Sequence, residues 1–179
     1  MLEVIRNRRS VRKFETRPIE EEKLQEILEA ARLAPSGNNS QPWHFIVVRS
    51  EAMRRRLAEV SHQQLWMADA PVHIVCVADI RSRIKTGEPI SLTDDSPLLE
   101  FKKLIRDTSI AIEHLVLEAE NQGLATCWIA WFEPAQIAAL LGVPEDKYVQ
   151  AIIPVGYGAE KPAPRPRKAL SEIVHEETW

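Results

Sequence analysis

Cysteine is scarce in this chain. Its 179 residues include only Cys76 and Cys127, each inside an apolar run and without metal-type spacing. They read as buried thiols, and neither a disulfide framework nor a metal site is indicated. Excess positive charge is also missing: the formal net charge is −3, which argues against a nucleic-acid binder by bulk electrostatics. No apolar run approaches the length that spans a bilayer. Met1-Leu2-Glu3-Val4-Ile5 runs directly into charged residues without a signal-peptide core, so a cytoplasmic protein is expected. No glycine-rich dinucleotide fingerprint follows a strand, and there is no P-loop, no serine nucleophile elbow and no paired-histidine zinc motif. His44, His62, His73, His114 and His175 are scattered, and Asp94-Asp95 is an isolated acidic pair in a loop. What remains is ordinary globular composition, 45% hydrophobic and 27% charged, over a length that fits one domain, residues 1–179.

The most informative stretch is Pro35-Ser36-Gly37-Asn38-Asn39-Ser40-Gln41-Pro42-Trp43, between a helical segment and the strand-like run His44–Val48. Gly37 can take positive φ, and the two asparagines tolerate it better than most residues. Pro35 and Pro42 restrict the backbone at either end. Such a loop presents amides and hydroxyls from a preset shape, suited to the heteroatom-rich edge of a flat ligand. Taken alone, a helix-to-strand connection with ordinary turn chemistry is the better account of the loop.

Two arginine clusters lie at opposite ends of the chain. In Arg8-Arg9-Ser10-Val11-Arg12-Lys13-Phe14, four of seven residues are basic. Guanidinium forks match phosphate oxygens bidentately, and the serine adds a donor. Near the other end, Pro162-Ala163-Pro164-Arg165-Pro166-Arg167-Lys168 is stiffened by alternating prolines. A solvated basic turn and a flexible basic tail are the plain alternatives.

Helices are predicted over about Leu2–Asn7, from Pro18-Ile19 with an apolar face of Leu24, Ile27, Leu28 and Ala31, over about Glu51–Met67, over Leu98–Gln122, and from Pro134 to Gly142. Strands are predicted from His44, over Val72–Ala78, over Leu124–Phe132 and over Tyr148–Tyr157. The dense run Val72–Ala78 reads as a strand buried on both faces. Arg81–Ser96 reads as a long loop. The Leu98–Gln122 helix is apolar nearly all round, which predicts burial partly against a second subunit. Ile173-Val174 suggest that the last residues dock. The fold class expected is an α+β or α/β sandwich, a central sheet of about four or five strands covered by helices. A phosphate-seeking turn, an amide-rich loop, an aromatic-bearing strand and a basic tail together make the set that flavin mononucleotide (FMN) requires.

Four segments also resemble the nitroreductase family of FMN enzymes, in the family's order: Arg8–Phe14; Ala34–Phe45; Gly123–Ile129; and Pro154-Val155-Gly156-Tyr157 followed by Pro164–Lys168. The resemblance favours α+β of the two fold classes and implies a three-layer sandwich with a mostly antiparallel sheet, and a homodimer with two FMN sites at an interface built on the long helix. It implies that Arg8, Arg9, Ser10 and Arg12 hold the phosphate and ribityl end, completed by Arg165 and Arg167. Pro35, Ser36, Gly37, Asn38 and Asn39 of the other subunit would line the flavin. Gln63 would meet the ring's polar edge, and the chain near Ala130 and Trp131 would give a backbone N–H to flavin N5. The implied reaction is ping-pong: NAD(P)H gives hydride to N5, then a small electron-poor acceptor such as a nitroaromatic or quinone is reduced. No side chain is expected to be a catalytic nucleophile or base. Reductive dehalogenation, flavin fragmentation and non-catalytic FMN binding remain open on the same fold, as does a flavin-free basic interaction protein. The chain departs from the family at Ala130-Trp131-Phe132-Glu133, where a Glu-Gly or Gly pair is common, and it is shorter than many members.

Overall fold

The computed structural model describes residues 1–86 and 99–179. Five helices occur there: α1 (Glu3–Asn7), α2 (Glu21–Arg32), α3 (Glu51–Val60), α4 (Leu99–Asn121) and α5 (Pro134–Leu141). Four strands, β1 (Trp43–Val48), β2 (Val72–Asp79), β3 (Ala125–Thr126) and β4 (Lys147–Gly156), form one sheet in the order β1-β2-β4-β3. All three ladders are antiparallel. From residue 87 onward, the loop expected over 81–96 lies outside the described residues. Its first part is a short 3-10 turn, Ile80–Ser82, followed by buried Ile84.

The sheet is the middle of three layers. Side chains alternate across a strand, so Ile74 and Cys76 of β2 pack with α2 and α4, whereas Val75 and Val77 pack with α3 and α5. Seven of the eight β2 residues are buried, because both faces are covered. The α2 face Leu24, Ile27 and Ala31 packs against Ala111, Ile112 and Leu115 of α4. No described helix is long and apolar enough to cross a membrane.

Two predicted elements are shorter than their apolar patterns. In the third strand only Ala125 and Thr126 join the ladder, and Ile129 returns as a single bridge to Ile152. The pairs Ala125–Gly156, Thr126–Val155 and Ile129–Ile152 share one register, which sets Cys127 opposite Pro154. Proline has no N–H to donate, so the ladder is interrupted there. The helix predicted over Glu51–Met67 ends at Val60. His62 and Gln63 take φ of 52° and 58°, incompatible with a right-handed helix, and Leu65–Asp69 resumes as a 3-10 turn. The Arg54 guanidinium donates to the carbonyls of Ala68 and Ala70 and holds that turn's end against α3.

Candidate functional site

Backbone pairing brings the two arginine clusters together. Val11 N–H donates to Thr126 O at 3.0 Å, and Ser10 bridges Thr126 in parallel, so the N-terminal segment runs beside β3. Beyond β4, Phe14 bridges Gly158, with Glu15 N–H to Tyr157 O and Ala159 N–H to Lys13 O both at 2.8 Å. Arg12 N–H donates to Glu160 Oε1 at 2.7 Å. The tail is thereby laid along the N-terminal segment. Arg8, Arg9, Ser10 and Arg12 share one open cleft of about 1150 Å³ with Arg165 and Arg167. Trp66 closes one side, with the Arg12 guanidinium 5.8 Å from its ring centroid.

The guanidinium groups of Arg8, Arg9, Arg12, Arg165 and Arg167 form no ion pair among the described residues. Among the described residues, Arg9 donates only to the carbonyls of Arg6 and Arg8, and Arg167 only to those of Arg165 and Pro166. Asp69 and Glu160 also line the cleft, leaving the positive charge in excess. A doubly charged phosphate monoester fits this donor set. Behind it, burial pushes the Cys127 thiol up, only partly offset by Arg12 and a hydrogen bond from Ser10. That thiol is a packing group.

The Pro35–Asn39 loop does not line this cleft. Gly37–Asn39 forms a 3-10 turn in which Asn38 and Asn39 have φ of 55° and 54°. The left-handed region costs most L-residues roughly 1–2 kcal/mol, and asparagine enters it more readily. Gly37 itself keeps negative φ. Its requirement is steric, because a Cβ there would collide with Arg83 Nη2. Both asparagine side chains are exposed, with their amides free to meet a ligand.

Beneath the turn, Arg83 Nη2 donates to Gly37 O at 2.7 Å and to Asp107 Oδ2 at 3.0 Å. Asp107 Oδ2 also accepts from Gly37 N–H at 3.0 Å. Burial alone would raise the Asp107 carboxyl, but Gly37 N–H, Arg83 and Arg106 outweigh it and hold the group below its ordinary value. Sequence reasoning gave Asp107 no role and missed Arg83; neither sits in a local motif.

Gln63 and its neighbour Gln64 turn to different partners. Gln63 Nε2 turns back to Glu59 O at 3.0 Å, while Gln64 Nε2 donates to Trp131 O at 3.2 Å. Past the Ile129–Ile152 bridge, Ala130 and Trp131 are exposed, and their N–H groups have no acceptor among the described residues. Trp131 is 67% exposed and stacks on His62 with ring centroids 4.6 Å apart. The sequence thus places a flat ring and two free N–H donors where the strand leaves the sheet.

A family model described as the nitroreductase family matches residues 5–157. The chain belongs to that family. A Thermus thermophilus relative named NADH dehydrogenase is 31% identical over 93% of this chain and 91% of its own length. A Bacillus subtilis relative named FMN reductase [NAD(P)H] is 30% identical over all of this chain and 75% of its own. Among solved structures, the NADPH:FMN oxidoreductase of Vibrio harveyi in complex with NAD+ superposes with a TM-score of 0.87 at 27% identity, covering 99% of this chain and 76% of that one. The nitroreductase fold is shared over essentially the whole chain.

Proposed function

We infer that this nitroreductase-family chain is an FMN-dependent oxidoreductase that takes hydride from NAD(P)H and reduces a small electron-poor acceptor such as a nitroaromatic or quinone. The observation that carries this reading is the convergence of Arg8, Arg9, Ser10, Arg12, Arg165 and Arg167 in one cleft with the guanidinium groups unpaired among the described residues. FMN held there would supply the redox chemistry, hydride transfer at its flavin ring. The chain's own residues bind and orient. The guanidinium forks and Ser10 hold the phosphate end. The unpaired N–H of Ala130 or Trp131 would be available as a donor to the flavin ring, where it would stabilise added electron density. The exposed Trp131 ring offers an apolar, planar contact to an aromatic acceptor.

A homodimer completes the site in this reading. The Pro35–Asn39 loop lies outside its own chain's arginine cleft, so it would serve the partner's. Leu2, Val4, Ala30, Leu33 and Leu117, together with polar residues that include Glu3, Glu118 and Glu120, line a groove of about 710 Å³ where α1, α2 and α4 meet, which a second subunit would cover. Reliance on NAD(P)H supports a cytoplasmic setting.

The test starts with the purified protein's visible spectrum and the mass of the released chromophore. A yellow, FMN-bearing protein that oxidises NAD(P)H in the presence of a quinone is the expected result. Arg8→Ala, and Arg165→Ala combined with Arg167→Ala, each remove charge-assisted bonds worth about 1.5–3 kcal/mol and should weaken FMN binding accordingly. Undiminished flavin content in both would place the phosphate elsewhere.

A further inference from the structure

Gly37 is gripped from two directions. Its carbonyl accepts from Arg83 and its N–H donates to Asp107, and these two side chains are joined at 3.0 Å. The pair is deeply placed, with side-chain exposures of 10% for Arg83 and 2% for Asp107. Glu100 Oε2 lies 3.5 Å from Arg83 Nη1, and Arg106 reaches Asp107 Oδ1 at 3.2 Å, so both members are further braced from α4. Directly after this point come two consecutive residues at positive φ, Asn38 and Asn39. A backbone held in sparsely populated conformations persists only where its surroundings over-determine it. Here the over-determination is specific: the peptide groups on both sides of Gly37 are fixed by charged partners, and the glycine leaves room for the guanidinium.

We propose that Arg83 and Asp107 are positioning residues which, by clamping both peptide groups of Gly37, set the shape in which the Pro35–Asn39 loop meets the flavin ring. The proposal rests on the FMN reading above. Neither side chain needs to touch the flavin. They act through the loop, and across the dimer if the loop serves the partner's site. The ring's polar edge changes its hydrogen-bonding between oxidation states. A loop held in one shape therefore binds oxidised and reduced FMN with unequal affinity, and loosening it moves the midpoint potential.

The experiment uses the full chain with and without FMN. It compares wild type with Arg83→Met, Arg83→Lys, Asp107→Asn and Gly37→Ala. Affinity is read by fluorescence titration of FMN into the apoprotein, the midpoint potential by reductive titration, and loop order by amide exchange at residues 37–39 of the apoprotein. Arg83→Met should weaken FMN roughly tenfold, the loss typical of a bond to a charged group. It should also shift the potential and speed exchange at the loop. Gly37→Ala should reproduce these effects with every charge retained, because the added methyl displaces the guanidinium. Arg83→Lys should recover part of the affinity, since one ammonium can meet one of the two acceptors.

Lower thermal stability with affinity and potential unchanged in Arg83→Met and Gly37→Ala would reduce the pair to a structural ion pair and overturn the proposal. Should Arg83→Met fail to fold, the same criterion applies to Gly37→Ala and Asp107→Asn. If wild type takes up no FMN, or loses none on Arg8→Ala, the FMN reading itself falls and takes this proposal with it. FMN binding that depends on Arg8 but not on Arg83, Asp107 or Gly37 overturns the proposal alone.

Discussion

His73 lies on β2 with no solvent exposure. Its Nε2 hydrogen-bonds Met67 O at 2.7 Å, so that nitrogen carries the proton, while Nδ1 has no partner among the described residues. Burial pushes its pKa down to about 4, against the help of the Met67 bond and with a further push from Arg54. In the unfolded chain the same group titrates near 6.5. The sign follows: above about 6.5 both states are neutral at this site, and below it only the unfolded chain gains the proton until about 4 is reached. Stability is therefore lost as pH falls through that window, by on the order of 3 kcal/mol at its lower end. Thermal scans from pH 7.5 to 4.5 should show this decline, and His73→Gln should flatten it. The place of His73 in the dense apolar run Val72–Ala78 makes its burial legible from the sequence. The Arg83–Asp107 contact was not legible, because the residues are 24 positions apart and neither lies in a recognisable motif.

Among elements, the end of β4 decides whether the arginine cleft exists. Gly156 closes that strand, and a Cβ there would stand 2.6 Å from Pro71 Cδ and 3.1 Å from Phe14 Cδ1. Two residues on, Gly158 pairs with Phe14 and starts the tail towards Arg165. Gly156→Ala should cost about 1–3 kcal/mol from overpacking. Because part of the crowding falls on the Phe14 ring, whose backbone pairs with Gly158, it should also weaken FMN binding. Gly142 is the useful contrast. It ends α5 at φ 65° with open space around its Cβ position, so Gly142→Ala should cost about 1 kcal/mol and leave flavin affinity unchanged. Urea denaturation and FMN titration on the two variants would separate these effects. The tail itself corrects one expectation: Ile173 and Val174 are both more than half exposed on this chain. Among the described residues they find no docking surface that buries them.

For the molecule as a whole, the groove between α1, α2 and α4 carries the dimer prediction. Leu33 is 64% exposed in that groove, so replacing it leaves the chain's own core intact. Leu33→Glu would place a carboxylate against the apolar face of a partner, where an unpaired charge is costly to bury. Light scattering should report a dimer for wild type and a shift towards monomer for the variant. Flavin content should fall with it, since each site would lose the loop lent by the other chain.

Local chemistry determined much of this protein from sequence alone. Apolar periodicity fixed the helices and strands to within a few residues, except where Pro154 interrupts a ladder and where His62 and Gln63 end α3. The arginine clusters announced an anion, because guanidinium groups with no acidic neighbours in sequence ask for one. The asparagine-rich loop was legible as a preset shape, although its glycine serves close approach and the asparagines take the positive φ. Only the tertiary structure decided that residues 13–15 and 157–159 pair and so bring the clusters into one cleft. It alone set Arg83 and Asp107 beneath Gly37, and put Gln64 in contact with Trp131 while Gln63 turned back to its own helix. These are pairings between distant stretches, fixed by backbone register and by how layers pack, and no local pattern encodes which distant partner a side chain will meet.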